Sequence, residues 1–282
     1  MPTKDLYDYG FGRVWNQVYV NRREGYSTSV TDYHEHGFYE INLILSGNVK
    51  ILLGDRAEEG TGSRIVLTRP GTPHYISCKS DTLYSRLYLV FTDDFIADSL
   101  PEWPQLAAVF APRGTILPLT PAMTEQYKAL IEAIGRETSR LRQRLLTCCL
   151  LSHLADQAAA EIAPMTRIPP YILEAIAYLE QHYAEKILAA DLAKVLHIGR
   201  TTLMTEFKKQ TGKTLGEYLT HCRLGHAVRM LCEGKKLEYI AVQCGFSDSS
   251  GLIRSFKQRF GTTPRQYAET YCRLGQIGPD GR

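Results

Sequence analysis

No apolar run in the 282-residue chain approaches the roughly 20 residues that a membrane-spanning helix needs. The longest, such as ILLG at 51–54 and LLTCCLL at 145–151, stop well short, so no membrane segment is expected. The N-terminus, MPTKDLYDYG, lacks an apolar stretch behind a basic start, so export is not indicated and the expected location is the cytoplasm. No C-x-x-C pair occurs among the seven cysteines at 78, 148, 149, 222, 232, 244 and 272. Zinc and dithiol chemistry are therefore not indicated, and reduced, mostly buried thiols are expected. What remains is an ordinary globular composition, 44% hydrophobic and 22% charged, in a chain long enough for two cores at roughly 100 to 200 residues per domain.

Charge is unevenly spread. Before Met165 there are 16 basic and 19 acidic residues; from there on there are 17 and 11. The halves carry −3 and +6, which points the C-terminal half alone toward an anionic partner, nucleic acid being the commonest.

Strand signals crowd residues 13–91, in RVWNQVYV, EINLILSGNVKILLG, SRIVLT and LYSRLYLVF. Ile41, Leu43 and Leu45 alternate, Gly47-Asn48 reads as a two-residue hairpin turn, and Val49, Ile51 and Leu53 resume the alternation. Short strands punctuated by Gly and Pro predict an antiparallel sandwich or barrel. Over 122–162 apolar residues recur at helical spacing, among them Leu130, Ile134, Leu141, Leu145 and Leu154, predicting two amphipathic helices that pair two chains. The proline-rich IAPMTRIPPYI then breaks helix and reads as a linker.

The last hundred residues contain an internal repeat. Phe207, Lys208, Gly212, Thr214 and Tyr218 recur 49 positions later as Phe256, Lys257, Gly261, Thr263 and Tyr267. Upstream the offset is 48, Leu192-Ala193 matching Ile240-Ala241, so the second copy has one extra residue between its helices. Each copy is a short helix, a turn and a longer helix, the form of a helix-turn-helix, although one copy alone would better suit a plain helical hairpin. Between them Thr214 and Glu217 form a capping box that starts a helix of roughly 27 Å. That spacer suits two recognition helices about 34 Å apart, one turn of B-DNA.

IAVQCGFSDSSGLIRSFKQRFGTTPRQY, with Arg223, Ala227 and Leu231 on the spacer, resembles the AraC/XylS family of bacterial transcriptional regulators over about residues 172–271. The resemblance implies base contacts from Thr201, Met204 and Thr205 in the first recognition helix and from Ser249, Ser250 and Arg254 in the second. It implies phosphate contacts from Lys208, Lys257 and the helix N-termini. Arg254 is the one residue of this set able to hold guanine bidentately. Two departures stand out: Gly199 replaces the usual Ser cap of the first recognition helix, and Gly251 replaces a frequent aromatic.

In the N-terminal half His34, His36 and Glu40, followed by Gly47 and the PGTPH that ends at His74, resemble the two cupin motifs, with Thr28 and Cys78 departing from the pattern. An H-x-H pair on a strand turns both imidazoles to one face, and with Glu40 and His74 makes a three-His, one-carboxylate set suited to Fe, Mn, Zn or Ni. The same four residues equally suit the wall of an effector cavity, which is the favoured role, with no metal or other cofactor expected. Trp15, Tyr19, Tyr33, Tyr39, Tyr75, Tyr84 and Tyr88 would line such a cavity, which suits sugars and aromatic acids, or fill a barrel core. Cys148-Cys149 reads as a packed helix face rather than a redox sensor.

The expected architecture is multidomain α+β: a cupin-like antiparallel β-barrel sensor over 1–120, a helical dimerisation segment over 121–162, a linker over 163–171 and an all-α double helix-turn-helix domain over 172–274. The resemblance implies a non-enzymatic regulator that binds double-stranded DNA, responds to a small effector such as a sugar, forms a homodimer and contacts RNA polymerase. The alternative is a metal-dependent cupin enzyme or metal sensor fused to a DNA-binding domain.

Overall fold

The protein is described by a computed structural model over residues 18–26, 33–78, 82–96, 103–111, 113–160 and 162–269. Trp15, Thr28 and Cys272 lie outside them. The chain divides into two compact units at Ile168/Pro169.

The N-terminal unit runs β1 (Tyr19–Tyr26), β2 (Tyr39–Ser46), β3 (Asn48–Leu53), β4 (Arg56–Thr61), β5 (Arg64–Thr68), β6 (His74–Cys78) and β7 (Leu83–Phe91). It continues through α1 (Asp93–Ile96), α2 (Trp103–Ala107), β8 (Thr115–Pro118), α3 (Pro121–Arg136), α4 (Arg140–Ala160) and β9 (Thr166–Arg167). Two antiparallel sheets result, ordered β1-β7-β2-β5-β8 and β6-β3-β4-β9. The β-rich architecture expected of this half is present.

The Gly47-Asn48 hairpin is not. β2 pairs with β5 and β7, whereas β3 pairs with β4 and β6, so Gly47 is a corner at which the chain leaves one sheet for the other. Its φ of 124° is open to glycine, and a Cβ there would come within 3.2 Å of Cys78 Sγ and Tyr84 Cδ2. Both strands are covered on both faces and carry buried residues on each, so the apolar pattern on either side of Gly47 does not fix which strand pairs with which. The two-residue hairpin is one turn later, at Gly54-Asp55 between β3 and β4, with Gly54 at φ 53°.

One face of the larger sheet, with Ile41, Leu43, Ile65, Leu67, Leu87 and Leu89, buries against Phe95, Trp103, Ile131, Ile134, Leu150 and Leu154 of the helices. Its other face, with Ile44, Val66, Tyr84 and Ile116, meets Val49, Ile51, Leu53 and Ile76 of the smaller sheet. Each fully buried Leu or Ile contributes about 1.5–3 kcal/mol. Helix α3 starts at Thr120, whose side chain accepts from Met123 N at 3.3 Å, with Pro121 at the first helical position. The residues read as an amphipathic stripe therefore divide: Ile134 and Leu154 belong to the core of the N-terminal unit, while Leu141 and Leu145 of α4 are 64% and 60% exposed. Residues 163–168 lie along the barrel, where Ala163 N donates to Ile116 O, Thr166 pairs with Ala57 and Ile168 N donates to Asp55 O.

The C-terminal unit is helical: α5 (Pro170–Gln181), α6 (Ala189–Val195), α7 (Arg200–Thr211), α8 (Leu215–Cys232), α9 (Leu237–Gln243), α10 (Ser249–Phe260) and α11 (Pro264–Tyr267). The sequence repeat is a repeat of interactions. Phe207 and Phe256 are buried, and Gly212 and Gly261 close α7 and α10 in the left-handed region. Thr214 and Thr263 open the next helices with capping boxes to Glu217 and Gln266. Tyr218 and Tyr267 set their rings edge-on to the two phenylalanines at 5.4 Å. Cys232 is disulfide-bonded, which corrects the expectation of reduced thiols at that position: an odd total excludes a fully paired set but leaves room for one pair.

Candidate functional site

The turns aim the recognition helices. After α6 the chain makes a Schellman closure in which Ile198 N donates to Ala193 O and His197 N to Lys194 O; after α9 Phe246 N donates to Ala241 O and Gly245 N to Val242 O. The left-handed residue is His197 (φ 53°) in the first copy and Gly245 (φ 71°) in the second. The second turn then takes its additional residue and ends at Asp248, whose carboxylate accepts from Gly251 N at 2.7 Å as the cap of α10. Gly199 caps α7 without a side-chain bond, as its lack of a side chain requires.

Thr201, Met204, Thr205 and Lys208 share the exposed face of α7, opposite the buried Leu203, Phe207 and Thr211. Ser250, Arg254 and Lys257 share the exposed face of α10, opposite Leu252 and Phe256, with Ser249 half-buried beside them. Among the described residues Lys208, Arg254 and Lys257 enter no ion pair. Asp248 is engaged by its own helix N-terminus. Three cations thus face solvent on helices whose opposite sides are locked in the core, the arrangement that phosphates and base edges can meet.

Helix α8 holds the two copies. Arg223 donates from Nε to Tyr183 O at 2.7 Å and from Nη2 to Glu185 O at 2.8 Å, and its guanidinium lies 6.0 Å from the Phe246 ring of the second turn. Ala227 and Leu231 are buried in the second copy's core. His226 stacks on Tyr183 at 3.7 Å. Burial, then the neighbouring Arg229, brings its pKa down from 6.5 to about 4.

His34, His36, Glu40 and His74 come together inside the N-terminal unit, though not as expected. His34 and His36 precede β2 rather than lying on a strand: His34 forms an isolated bridge with His74, and residues 35–38 are irregular. The imidazoles still converge, with ring centroids 4.3 Å apart for His34 and His74 and 4.9 Å for His36 and His74. His36 and His74 both donate from Nε2 to Glu40 Oε2, at 2.9 and 3.1 Å. Their Nδ1 atoms face the main-chain oxygens of Phe38 and Thr72 at 3.0 and 2.9 Å, which fixes each ring. Glu40 is fully enclosed; burial raises its pKa, but the two imidazole bonds prevail and hold it well below the usual carboxylate range. Ligand atoms of His34, His36 and His74 lie within 4.8 Å of one another, a spread from which they could close on a first-row divalent metal.

The tyrosines separate by face. Tyr39 stacks among Phe91, Trp103 and Phe110 under the helices and is core. Tyr75, Tyr84 and Tyr88 are buried, Tyr19 lies 6.3 Å from Tyr88, and Tyr33 donates to Gly54 O. Burial pushes the half-buried Cys148 thiol up, against thiolate chemistry there, and Cys149 is exposed. Two polar residues escaped the sequence reading: Arg86 on β7 and Asn42 on β2, both buried within the sheet. The available signal was an arginine inside the otherwise apolar LYSRLYLVF.

Comparison with known proteins agrees with this division. Residues 20–155 match the AraC-like ligand binding domain, and residues 192–270 match a helix-turn-helix domain. The uncharacterized HTH-type transcriptional regulator YisR of Bacillus subtilis is 25% identical over 255 residues, which cover 84% of this chain and 88% of that protein. The HTH-type transcriptional activator RhaS of Klebsiella pneumoniae is 25% identical over 249 residues, 82% of this chain and 85% of its own. Among solved structures, ToxT from Vibrio cholerae aligns over 90% of this chain and 97% of its own at 16% identity and a TM-score of 0.40. No described helix is long and apolar enough to cross a membrane. With a ligand-binding domain preceding a DNA-binding one, the chain belongs to the AraC family of transcriptional regulators.

Proposed function

We propose that this regulator reads DNA with α7 and α10 together, and that a small effector inside the N-terminal barrel changes how well it does so. The observation that carries the reading is the duplication of one device: two helices with the same buried anchors, the same C-terminal closure and the same exposed basic face. Thr201, Met204 and Thr205, with Ser249, Ser250 and Arg254, meet base edges; Lys208 and Lys257 meet phosphates. Because Thr, Met and Thr offer little directional hydrogen bonding, the first helix reads thymine methyls and groove shape, and the second supplies the stronger base preference.

Two copies join through α4, where Leu141 and Leu145 stand exposed one helical turn apart. The protein acts in the cytoplasm, contacts RNA polymerase and carries out no catalysis. His34, His36, Glu40 and His74 form part of the effector-binding wall. The 4.8 Å spread of the imidazole donors favours a second reading, in which they hold a divalent metal, and the metal content of protein purified without chelator separates the two. DNA binding by the full chain tests the main reading: affinity should fall steeply with salt, and Lys257→Ala should lower the salt slope for all sequences alike. Binding that is indifferent to salt contradicts it.

A further inference from the structure

On the face of the larger sheet that looks into the barrel, Arg86 of β7 and Asn42 of β2 are diagonal neighbours, since Asn42 stands opposite Tyr88 and Ile44 opposite Arg86. Both are inaccessible, Arg86 at 2% and Asn42 at 0% exposure. Arg86 Nη1 donates to Asn42 Oδ1 at 2.5 Å, and the guanidinium lies 4.7 Å from the centre of the Tyr88 ring. Among the described residues no carboxylate pairs with Arg86, and neither its Nε nor Asn42 Nδ2 has a hydrogen-bond partner. Glu40, two residues from Asn42, is occupied by His36 and His74.

A guanidinium out of water is costly to keep without a counter-ion, and one amide oxygen supplies no charge. The unused donors define what is missing, an anion with two coplanar oxygens that can take the arginine fork and an adjacent amide N–H. We propose that Arg86 and Asn42 bind the carboxylate of the effector, so that the molecule sensed is a small organic acid rather than a neutral sugar. The inference rests on the reading of the barrel as the effector-binding domain.

The test uses the full-length protein in thermal-shift and calorimetric titrations with benzoate, hexanoate, their amides, inorganic phosphate and glucose at millimolar concentration. At least one acid should raise the melting temperature and bind about tenfold or more tighter than its amide. Arg86→Lys, which keeps charge but loses the fork, should weaken that acid about tenfold. Arg86→Met should abolish its effect while the ligand-free variant melts at or above the wild type, because an uncompensated charge has been removed. The proposal is overturned if no acid binds, if phosphate or neutral compounds bind instead, or if either variant binds the acid as the wild type does. It is also overturned if ligand-free Arg86→Met melts well below the wild type, which would mean the guanidinium already has its partner in the fold. Sequence-specific DNA binding that persists through any of these outcomes leaves the regulator reading intact and removes only this one.

Discussion

Gly245 is the position at which the second helix-turn-helix has least freedom. Its φ of 71° is left-handed, and a Cβ there would lie 2.4 Å from Ala184 O and 2.8 Å from the Ala184 carbonyl carbon. In Gly245→Ala the left-handed conformation costs about 1–2 kcal/mol, of which up to about 1 is returned by a less flexible unfolded chain. Relieving the overlap requires the α5–α6 connection or the turn to move, at about 1–3 kcal/mol as in other overpacked sites. The expected loss is about 2–4 kcal/mol, which for a unit near 100 residues corresponds to roughly 8–30 °C in melting temperature. Urea or thermal unfolding of the full chain should show this loss in the C-terminal transition, with specific DNA binding weakened because α10 starts from this turn. The equivalent His197 already accepts a positive φ, so His197→Gly should change stability by no more than about 1 kcal/mol. A Gly245→Ala protein within about 0.5 kcal/mol of the wild type would refute the reasoning.

Replacing Leu141 and Leu145 together by Glu should give monomers by light scattering with the fold intact, since both side chains are largely exposed; an unchanged dimer places the interface elsewhere. His226 binds protons on unfolding between its folded value of about 4 and the unfolded 6.5, so its contribution is complete above pH 6.5 and declines as pH falls toward 4. After solvent screening the effect is on the order of 1 kcal/mol, and melting curves of the wild type should fall more steeply than those of His226→Gln across that interval. Parallel curves would rule out this role. Gly199→Ser should stabilise α7 by a few tenths of a kcal/mol through a new cap bond, measurable by urea unfolding as a shift in midpoint without a change in slope.

The C-terminal half was legible because its repeat consists of side chains whose types dictate their contacts: glycines at left-handed closures, threonines at caps, aromatic residues in the core. Even the single-residue insertion in the second turn could be read from the change of offset. The barrel was less legible for a physical reason. Strands covered on both faces lose the one-sided alternation that fixes pairing, so β2 and β3 read as partners when they belong to different sheets. The RAEEGT of β4 is polar and short, and β9 is two residues long; neither has a pattern to recognise. The spacing of the histidines is enough to group them but not to give their local conformation, because the bridge between His34 and His74 depends on a pairing remote in sequence. Arg86 and Asn42 could not be joined from sequence at all, since only the β2–β7 register makes them neighbours.

Base preference at the second recognition helix tests the account most directly. Arg254 is exposed, free of any carboxylate partner among the described residues, and on the same face as Ser250 and Lys257. Its planar fork matches guanine O6 and N7, while the serines can bond to almost any base edge. A binding-site selection with the full-length wild type and Arg254→Ala should return two blocks of preference about one helical turn apart, with the variant relaxed at one base pair and weakened by about 1–3 kcal/mol at the selected site. The same motif at every position from both proteins would contradict the assignment of α10 as the helix that reads the bases.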